Sequence, residues 1–396
     1  MKRPIPPLAH CLGINCEGER YAVGLMAGTS LDGVDAALVK LTGAGDAIQV
    51  ETLATHHSPY TPDERAGLQR LIYRGKLANL CAWDAYLGER FAQTAQELIQ
   101  QAQPPRVDFI GSHGQTVWHA PEATLKGKPT PNTLQIGQPD VIAARVGVPV
   151  VADFRTRDMA YGGQGAPLVP VVDWLLLRSE TEHRLALNIG GMANVTVLPA
   201  GGAPETIRAF DTGPGNALID LAVEIYTQGK LTYDKDGKYA SEGKVNPLLL
   251  EHLMMHPYLE QPPPKSTGRE IFGEDYLDAI IGAFKPKLRP LVATLTEFTA
   301  ASIEFALRRF VLPDYPIQRI IVSGGGVHNP VLMKRLQARL PDTAIEPSSR
   351  YGVDPDFKEA IAFAVLADRF LQGLPATYPN TTGARQPTLA GKLSLP

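Results

Sequence analysis

The chain has 396 residues, of which 44% are hydrophobic and 20% charged, a balance typical of a soluble globular protein with two domains. Its formal net charge of -3 argues against a nucleic-acid partner, and no apolar run is long enough to cross a membrane. Three cysteines, an odd and sparse set, argue against a disulfide framework and favour a cytoplasmic location.

The predicted elements begin after an irregular N-terminal extension at residues 1–19. Residues 21–26 and 34–41 are predicted to be buried strands on either side of a turn, and residues 48–53 alternate apolar and polar side chains as a half-buried strand does. The chain therefore opens with an antiparallel meander. A helix through Leu87, Phe91, Ala95 and Leu98 and short strands at 107–111 and 148–152 come next.

A comparable order recurs in the second half of the chain. The predicted elements are strands at 185–189, 195–198 and 207–210, a helix at 217–226, a helix at 295–310, a strand at 319–322 and a buried helix at 358–371. Strands followed by crossover helices, twice over, indicate a duplicated α/β architecture.

The turn between the first two strands is the first candidate site. Its residues are Gly28, Thr29, Ser30, Leu31, Asp32, Gly33, Val34 and Asp35. Because it joins two strands, it is neither a Walker loop nor a dinucleotide fingerprint. Its backbone N–H groups and hydroxyls can bind phosphate oxygens, and Asp32 with Asp35 can hold Mg²⁺ through water. An ordinary turn is the alternative, because these residue types are common in turns.

A second glycine turn, with Gly190 and Gly191, also joins two predicted strands. Two phosphate-type turns in separate halves of one chain indicate a nucleotide held in a cleft. A structural glycine pair in a tight hairpin is the alternative.

Two further motifs follow predicted strands. Asp211, after the strand at 207–210 and before several glycines, is placed to act as a general base, with a helix-capping or turn aspartate as the alternative. Gly324 and Gly325 begin a flat turn that can pack against adenine or ribose, or simply allow close strand–helix packing. Asn329 and Pro330 predict the start of the next helix.

Three polar segments in the middle of the chain, residues 112–116, 153–158 and 162–167, suit a sugar that bears a carboxylate. Arg155 or Arg157 can bind that carboxylate with two parallel N–H groups. For His113 alone, a structural hydrogen bond is the better interpretation.

Together, these motifs resemble those of the anhydro-N-acetylmuramic acid kinase family. The resemblance extends from about residue 21 to near the C-terminus and includes the motifs at 24–35, 112–116, 153–155, 162–170, 188–191, 210–216, 264–270 and 323–326, in the family's order. Ala27 stands where the family commonly has serine, and Thr156 where several relatives have arginine.

The resemblance implies a two-lobed, actin-like or ribonuclease H-like duplicated α/β fold with a nucleotide cleft between the lobes. We expect the first lobe at 20–150 plus 382–396 and the second at 151–381. It also implies a homodimer that uses ATP and Mg²⁺ to open 1,6-anhydro-N-acetylmuramic acid with water and phosphorylate it in peptidoglycan recycling.

Individual residues carry over from the family to matching positions. Asp211 matches the family's catalytic aspartate, and the turn at 28–35 matches its ATP-binding loop. Glu359 matches a glutamate that contacts the sugar in the family. Arg155 and Gln164 are the other expected sugar contacts, and Asp32 is the expected Mg²⁺ contact through water.

The sequence is also compatible with two hypotheses from other classes. One is a kinase of the same fold that phosphorylates an ordinary hydroxyl, such as O6 of glucose. The other is a binding protein without enzymatic activity, either an actin-like filament protein or a sugar sensor, because a fold alone does not fix function.

Overall fold

The computed structural model describes residues 7–396, whose contacts form two compact units. Unit 1 runs to Leu176 and resumes over Phe357–Pro396, and unit 2 is Leu177–Asp356. This division differs from the expected lobes, because residues 151–176 and 357–381 join unit 1. The buried helix at 358–371 packs on the first sheet, which explains the difference.

The expected N-terminal extension is only partly irregular. Residues 1–6 lie outside the described residues, and a short helix, Leu8–Cys11, precedes the first strand. The guanidinium of Arg20 donates to the carbonyl oxygens of Cys16 and Gly18, so the segment before the first strand is tied to unit 1.

The strands, in chain order, are β1 (Arg20–Ala27), β2 (Gly33–Thr42), β3 (Gln49–Pro59), β4 (Phe109–Ala120), β5 (Thr124–Leu125), β6 (Lys128–Pro129), β7 (Asn132–Ile136), β8 (Val150–Ala152), β9 (Arg184–Ile189), β10 (Met192–Leu198), β11 (Arg208–Pro214), β12 (Arg319–Ser323), β13 (Ala344–Pro347) and β14 (Lys392–Ser394).

The helices are α1 (Leu8–Cys11), α2 (Pro62–Arg74), α3 (Leu77–Ala102), α4 (Pro139–Val146), α5 (Thr156–Ala160), α6 (Pro170–Leu177), α7 (Ala217–Tyr226), α8 (Lys238–Glu242), α9 (Pro247–Met254), α10 (Pro257–Glu260), α11 (Glu274–Phe284), α12 (Leu288–Phe310), α13 (Pro330–Arg339), α14 (Lys358–Leu371) and α15 (Pro379–Thr382).

The two units share a five-stranded arrangement, to which unit 1 adds β7 and β14. In unit 1 the order is β14-β8-β4-β1-β2-β3, with β7 also paired to β4, and in unit 2 it is β11-β10-β9-β12-β13. Each sheet contains an antiparallel meander of three strands, β1–β3 in unit 1 and β9–β11 in unit 2. The first strand of the meander pairs in parallel with β4 in unit 1 and with β12 in unit 2. These strands pair in parallel with β8 and β13, respectively. The predicted duplicated α/β architecture is therefore confirmed.

Helices pack on both faces of the unit 1 sheet. The predicted apolar face of α3, formed by Leu87, Phe91, Ala95 and Leu98, is fully buried. On the other face α14 lies directly against β1 and β4. A Cβ atom at Gly24 would lie 1.8 Å from the carbonyl oxygen of Ala360, and one at Gly111 would lie 2.0 Å from that of Phe363. The glycines therefore permit contact between the backbones.

In unit 2 the long helix α12 forms the centre of the packing. It contacts α7, α8, α9 and α13, and most of its residues between Leu291 and Leu307 are buried. Within residues 7–396, no helix combines the length and apolar character needed to cross a membrane. The three cysteines are free thiols.

We predict that Gly24→Ala strongly destabilises unit 1, because the added methyl group overlaps the α14 backbone. Overpacking costs of about 3 kcal/mol correspond to a fall of roughly 6–12 °C in the thermal midpoint, measurable by calorimetry. Gly282→Ala is the control, since an added Cβ there meets no atom within 4 Å and α11 should gain about 0.5–1 kcal/mol. Equal midpoints for the two variants would contradict the predicted packing.

Candidate active site

The turn between β1 and β2 is an ordered feature of unit 1. Leu31 is buried and has the left-handed φ of 55°, a strained conformation for a branched side chain. The side-chain amide of Gln115 donates to the carbonyl oxygen of Gly28 at 3.0 Å. These contacts fix the turn while Thr29 and Ser30 remain exposed to solvent, as a phosphate-binding turn requires.

The carboxylates of this turn differ in their surroundings. Asp32 is exposed and accepts a hydrogen bond from the Ser30 hydroxyl at 2.8 Å. Asp35 lies in β2, and its carboxylate is 2.7 Å from Nδ1 of His57. Among residues 7–396, no three His, Cys, Asp or Glu side chains form a metal-binding group. Exposed, sparse oxygen ligands fit a hydrated Mg²⁺ that is held mainly by phosphates.

Glu359 lies in the first turn of α14 and brings a third carboxylate to this region. Its side chain is exposed at the surface, but the protein around the carboxyl group displaces water from it, and this desolvation raises its pKa. The negative charges of Asp35 and Asp32 raise this pKa further, and the positive charges of Lys358 and Arg155 oppose that effect. The electrostatic interactions of Glu359 therefore link it to the turn and to Arg155 within unit 1.

Arg155 contacts the segment that contains Gln164. Its Nη1 donates to the carbonyl oxygen of Gly165 at 2.8 Å, and its Nε and Nη2 donate to Nε2 of His113 at 3.1 and 2.8 Å. The backbone N–H of Gln164 donates to Thr382, and its side chain is exposed. Arg157, the alternative carboxylate ligand, instead donates to the carbonyl oxygens of two residues near the C-terminus, Leu389 and Gly391.

In unit 2 the structure brings the two glycine turns together. A Cβ atom at Gly324, where φ is 82°, would lie 2.8 Å from both the side chain of Asn188 and the carbonyl oxygen of Ile189. Added Cβ atoms at Gly190, Gly191 and Gly325 would meet no atom closer than 3.6 Å. These three glycines therefore present open backbone on which a flat ligand can lie.

The carbonyl oxygens of the Gly190–Gly191 turn have a structural role that the sequence did not predict. They accept hydrogen bonds from the backbone N–H groups of Gly215, Asn216 and Ala217, at the start of α7. The predicted start of α13 is confirmed, because Pro330 is its first residue and the Asn329 side chain accepts from two backbone N–H groups at 3.1 Å.

Asp211 lies inside a strand, not after one as expected, because β11 extends to Pro214. It is paired with Asn194 of β10. Its Oδ2 accepts from the backbone N–H of Thr267 at 2.8 Å, and its own N–H donates to the carbonyl oxygen of Lys265 at 3.1 Å. The segment with Lys265 and Thr267 thus holds Asp211 at two points.

The surroundings of Asp211 make it a stronger base than an ordinary aspartate. Burial raises its pKa to about 6, the Thr267 N–H and the Lys265 charge lower it, and the Glu270 charge raises it. Lys265 is itself buried, donates to the carbonyl oxygens of Tyr258 and Leu259, and lies over the Tyr258 ring. The sequence contains no signal that this lysine is buried, apart from its place in the motif at 264–270.

The predicted site residues therefore fall into two groups. Unit 1 holds the turn at 28–35, Arg155, Gln164 and Glu359, and unit 2 holds Gly190, Gly191, Asp211, Gly324 and Gly325. In unit 1 the electrostatic interactions of Glu359 connect it to the turn and to Arg155, and in unit 2 the two glycine turns pack against each other.

The chain is similar over almost its whole length to a family of kinases. The family model described as anhydro-N-acetylmuramic acid kinase matches residues 20–395. A protein of that name from Caldanaerobacter subterraneus subsp. tengcongensis is 43% identical over 385 residues, with 95% of this chain and 97% of the relative covered. Another, from Salinibacter ruber, is 44% identical over 398 residues, with 97% and 98% covered.

Similarity to solved structures is more distant. The activator of the 2-hydroxyisocaproyl-CoA dehydratase from Clostridium difficile, with bound ADPNP, has a TM-score of 0.43 and 12% identity, with 89% of this chain and 96% of that chain covered. A ROK family glucokinase from Streptomyces griseus, in complex with glucose and AMPPNP, has a TM-score of 0.37 and 11% identity, with 87% and 98% covered. The family assignment depends on the sequence relatives alone.

We predict that Asp211→Asn stabilises the protein at pH 8, because it removes a charge that burial disfavours. Since the folded pKa of about 6 exceeds the ordinary 3.8, the charged form costs stability above pH 6, and this cost shrinks as the pH falls towards 4. The expected gain at pH 8 is about 1–3 kcal/mol, measured from thermal midpoints at pH 8 and pH 4.5.

Asp278→Asn is the matched control, because Asp278 is exposed in α11 and the same chemical change there should leave the midpoint almost unaltered. A gain for Asp211→Asn that is the same at both pH values would show that burial of the charge is not its cause.

Proposed function

Because the chain belongs to the anhydro-N-acetylmuramic acid kinase family, we propose that Asp211 is the base with which it opens and phosphorylates its sugar. The family activity is the ATP-dependent phosphorylation of 1,6-anhydro-N-acetylmuramic acid in peptidoglycan recycling. The observation that carries the proposal for Asp211 is a partly buried carboxylate with a pKa near 6, held at one oxygen by a backbone N–H.

The chemistry of the substrate requires a base for water. The anhydro sugar has no free hydroxyl at O6, since O6 is bonded to C1. Water attacks C1 while its proton passes to the base, the C1–O6 bond breaks, and O6 takes up the γ-phosphoryl group as ADP leaves. The products are N-acetylmuramic acid 6-phosphate, ADP and one proton.

The contacts of Asp211 suit this task. The Thr267 N–H holds Oδ2, which fixes the plane of the carboxylate and leaves Oδ1 to accept the proton of the attacking water. Because burial raises the pKa of Asp211 to about 6, the group is ionised at neutral pH and yet is a better proton acceptor than an exposed aspartate.

We assign a nucleotide-binding role to the glycine-containing turns of each unit, taken separately. In unit 1 the turn at 28–35 offers exposed hydroxyls and backbone N–H groups for phosphate oxygens. In unit 2 Gly190, Gly191 and Gly325 offer open backbone for adenosine, and Gly324, which packs against Asn188 and Ile189, holds its turn against that of Gly190 and Gly191. Asp32 would hold Mg²⁺ through water. When bound, this ion neutralises negative charge on the phosphates.

We assign the sugar to Arg155, Gln164 and Glu359. Arg155 keeps a positive charge that can bind the lactyl carboxylate, and the exposed Gln164 side chain lies next to Gly165, a contact of Arg155. The carboxyl group of Glu359 can accept a hydrogen bond from a sugar hydroxyl. The proposed setting is a homodimer in the cytoplasm, where ATP and free thiols are found together.

The function is tested by the path of oxygen from water. In ¹⁸O-labelled water, we expect one labelled oxygen at C1 of the phosphorylated product, because water must supply the new C1 hydroxyl. Mass spectrometry of early product, before the sugar ring exchanges this oxygen, measures the label. N-acetylmuramic acid with an ordinary O6 hydroxyl is the control and should gain no label during phosphorylation. Unlabelled product from the anhydro sugar would exclude the proposed reaction.

The pH dependence of kcat/KM tests Asp211. Since the base must be ionised, we expect activity to fall tenfold per pH unit below about pH 6 and to be level just above it. Asp211→Asn should lose about 10²–10⁴-fold in kcat while ATP binding, measured by calorimetry, is retained. Near-normal turnover by this variant would remove Asp211 from the role of base.

A further inference from the structure

His113 lies in β4, and its side chain is buried with 4% exposure. Its ring packs on Phe363 of α14, with the ring centroids 4.6 Å apart. Nδ1 lies 2.9 Å from the carbonyl oxygen of Gly114, and because a carbonyl can only accept, Nδ1 carries the proton. Nε2 therefore has a free lone pair.

That lone pair faces Arg155. Nε2 of His113 accepts from both Nε and Nη2 of Arg155, at 3.1 and 2.8 Å. Burial and the Arg155 charge keep the pKa of His113 well below its usual range, so the ring stays neutral and remains an acceptor. Only a neutral imidazole can make this pair of contacts with a guanidinium.

The contacts leave a defined part of Arg155 available. A guanidinium has five N–H groups; two are held by His113 and one by the carbonyl oxygen of Gly165. The remaining two belong to the terminal nitrogens Nη1 and Nη2, whose spacing matches the two oxygens of a carboxylate.

The charge of Arg155 is also preserved, and the negative charges of Glu359 and Asp158 favour it through space. Both of its hydrogen-bond partners are neutral, whereas a carboxylate partner would neutralise the guanidinium before any ligand arrived. The nearby buried Asp158 does not play that part, because its oxygens accept from the N–H of Gly165 and the hydroxyls of Thr377 and Thr382. Burial lowers the pKa of Arg155 only to about 10, so it stays charged at neutral pH.

We propose that His113 is the positioning residue that orients Arg155 and thereby gives the enzyme its preference for sugars bearing a carboxylate. This inference rests on the proposed function, because it takes the carboxylate to be the lactyl group of the substrate. His113 itself need not touch the sugar; it determines which N–H groups of Arg155 face outward.

The test compares two sugars that differ only in the lactyl group, 1,6-anhydro-N-acetylmuramic acid and 1,6-anhydro-N-acetylglucosamine. The variants are Arg155→Gln, His113→Leu, which removes the acceptor, and His113→Gln, whose amide oxygen can replace it. For each, KM and kcat come from ADP release, and the inhibition constant of the uncharged sugar is used where its turnover is slow.

For Arg155→Gln we expect KM for the acidic sugar to rise about 100-fold, with the uncharged sugar unaffected. For His113→Leu we expect KM for the acidic sugar alone to rise about tenfold, with kcat within about threefold of the wild type. For His113→Gln we expect KM for the acidic sugar to return to within about threefold of the wild-type value. The KM for ATP and the thermal midpoint are the folding controls. His113→Met makes the same comparison if the leucine variant does not fold.

The outcomes separate the inference from the proposed function. If Arg155→Gln is selective but His113→Leu leaves both sugars unchanged or weakens both equally, the role of His113 is overturned. If Arg155→Gln itself weakens both sugars equally, Arg155 does not bind the lactyl carboxylate, and that part of the proposed function fails.

Discussion

The contact between the backbone of α14 and strands β1 and β4 fixes the geometry of unit 1. Because Gly24 and Gly111 lack side chains, the helix approaches the sheet more closely than any side chain would allow. This approach sets where the helix begins and therefore where Glu359 lies relative to the turn that follows β1. One turn further along α14, Phe363 supports the ring of His113. This packing contact therefore positions the carboxylate of Glu359 and also supports the ring of His113, which accepts hydrogen bonds from Arg155.

The burial of the ionised Asp211 carboxylate destabilises unit 2. An ionised carboxylate disfavoured by burial lowers stability at neutral pH, and the protein reduces that cost with a backbone N–H and a buried lysine rather than an ion pair. The ammonium of Lys265 is held by two carbonyl oxygens and two aromatic rings, so it acts on Asp211 at a distance without capturing its proton-accepting oxygens. Stability is exchanged for basicity, as is common at catalytic positions.

Much of this arrangement could be predicted from local sequence, since glycine turns and capping residues act over a few positions. The turns at 28–35 and 190–191, the Asn329 cap and the helix at 358–371 were all predicted correctly. The division of the chain was not, because the sequence does not show that a C-terminal helix packs on the first sheet. The burial of Lys265 and the pairing of His113 with Arg155 likewise depend on contacts between distant residues, and His113 alone was better explained as a structural residue.

The two charged residues proposed for catalysis and sugar binding are held by the same physical means. Asp211 receives a backbone N–H, and Arg155 donates to a neutral imidazole and a backbone carbonyl. In both cases the partners fix the direction of the group without cancelling its charge, whereas an ion pair would fix the direction and neutralise the charge together. An arginine that binds an anion and an aspartate that deprotonates water both need a charge that is oriented and not neutralised, and neutral hydrogen-bond partners provide both properties.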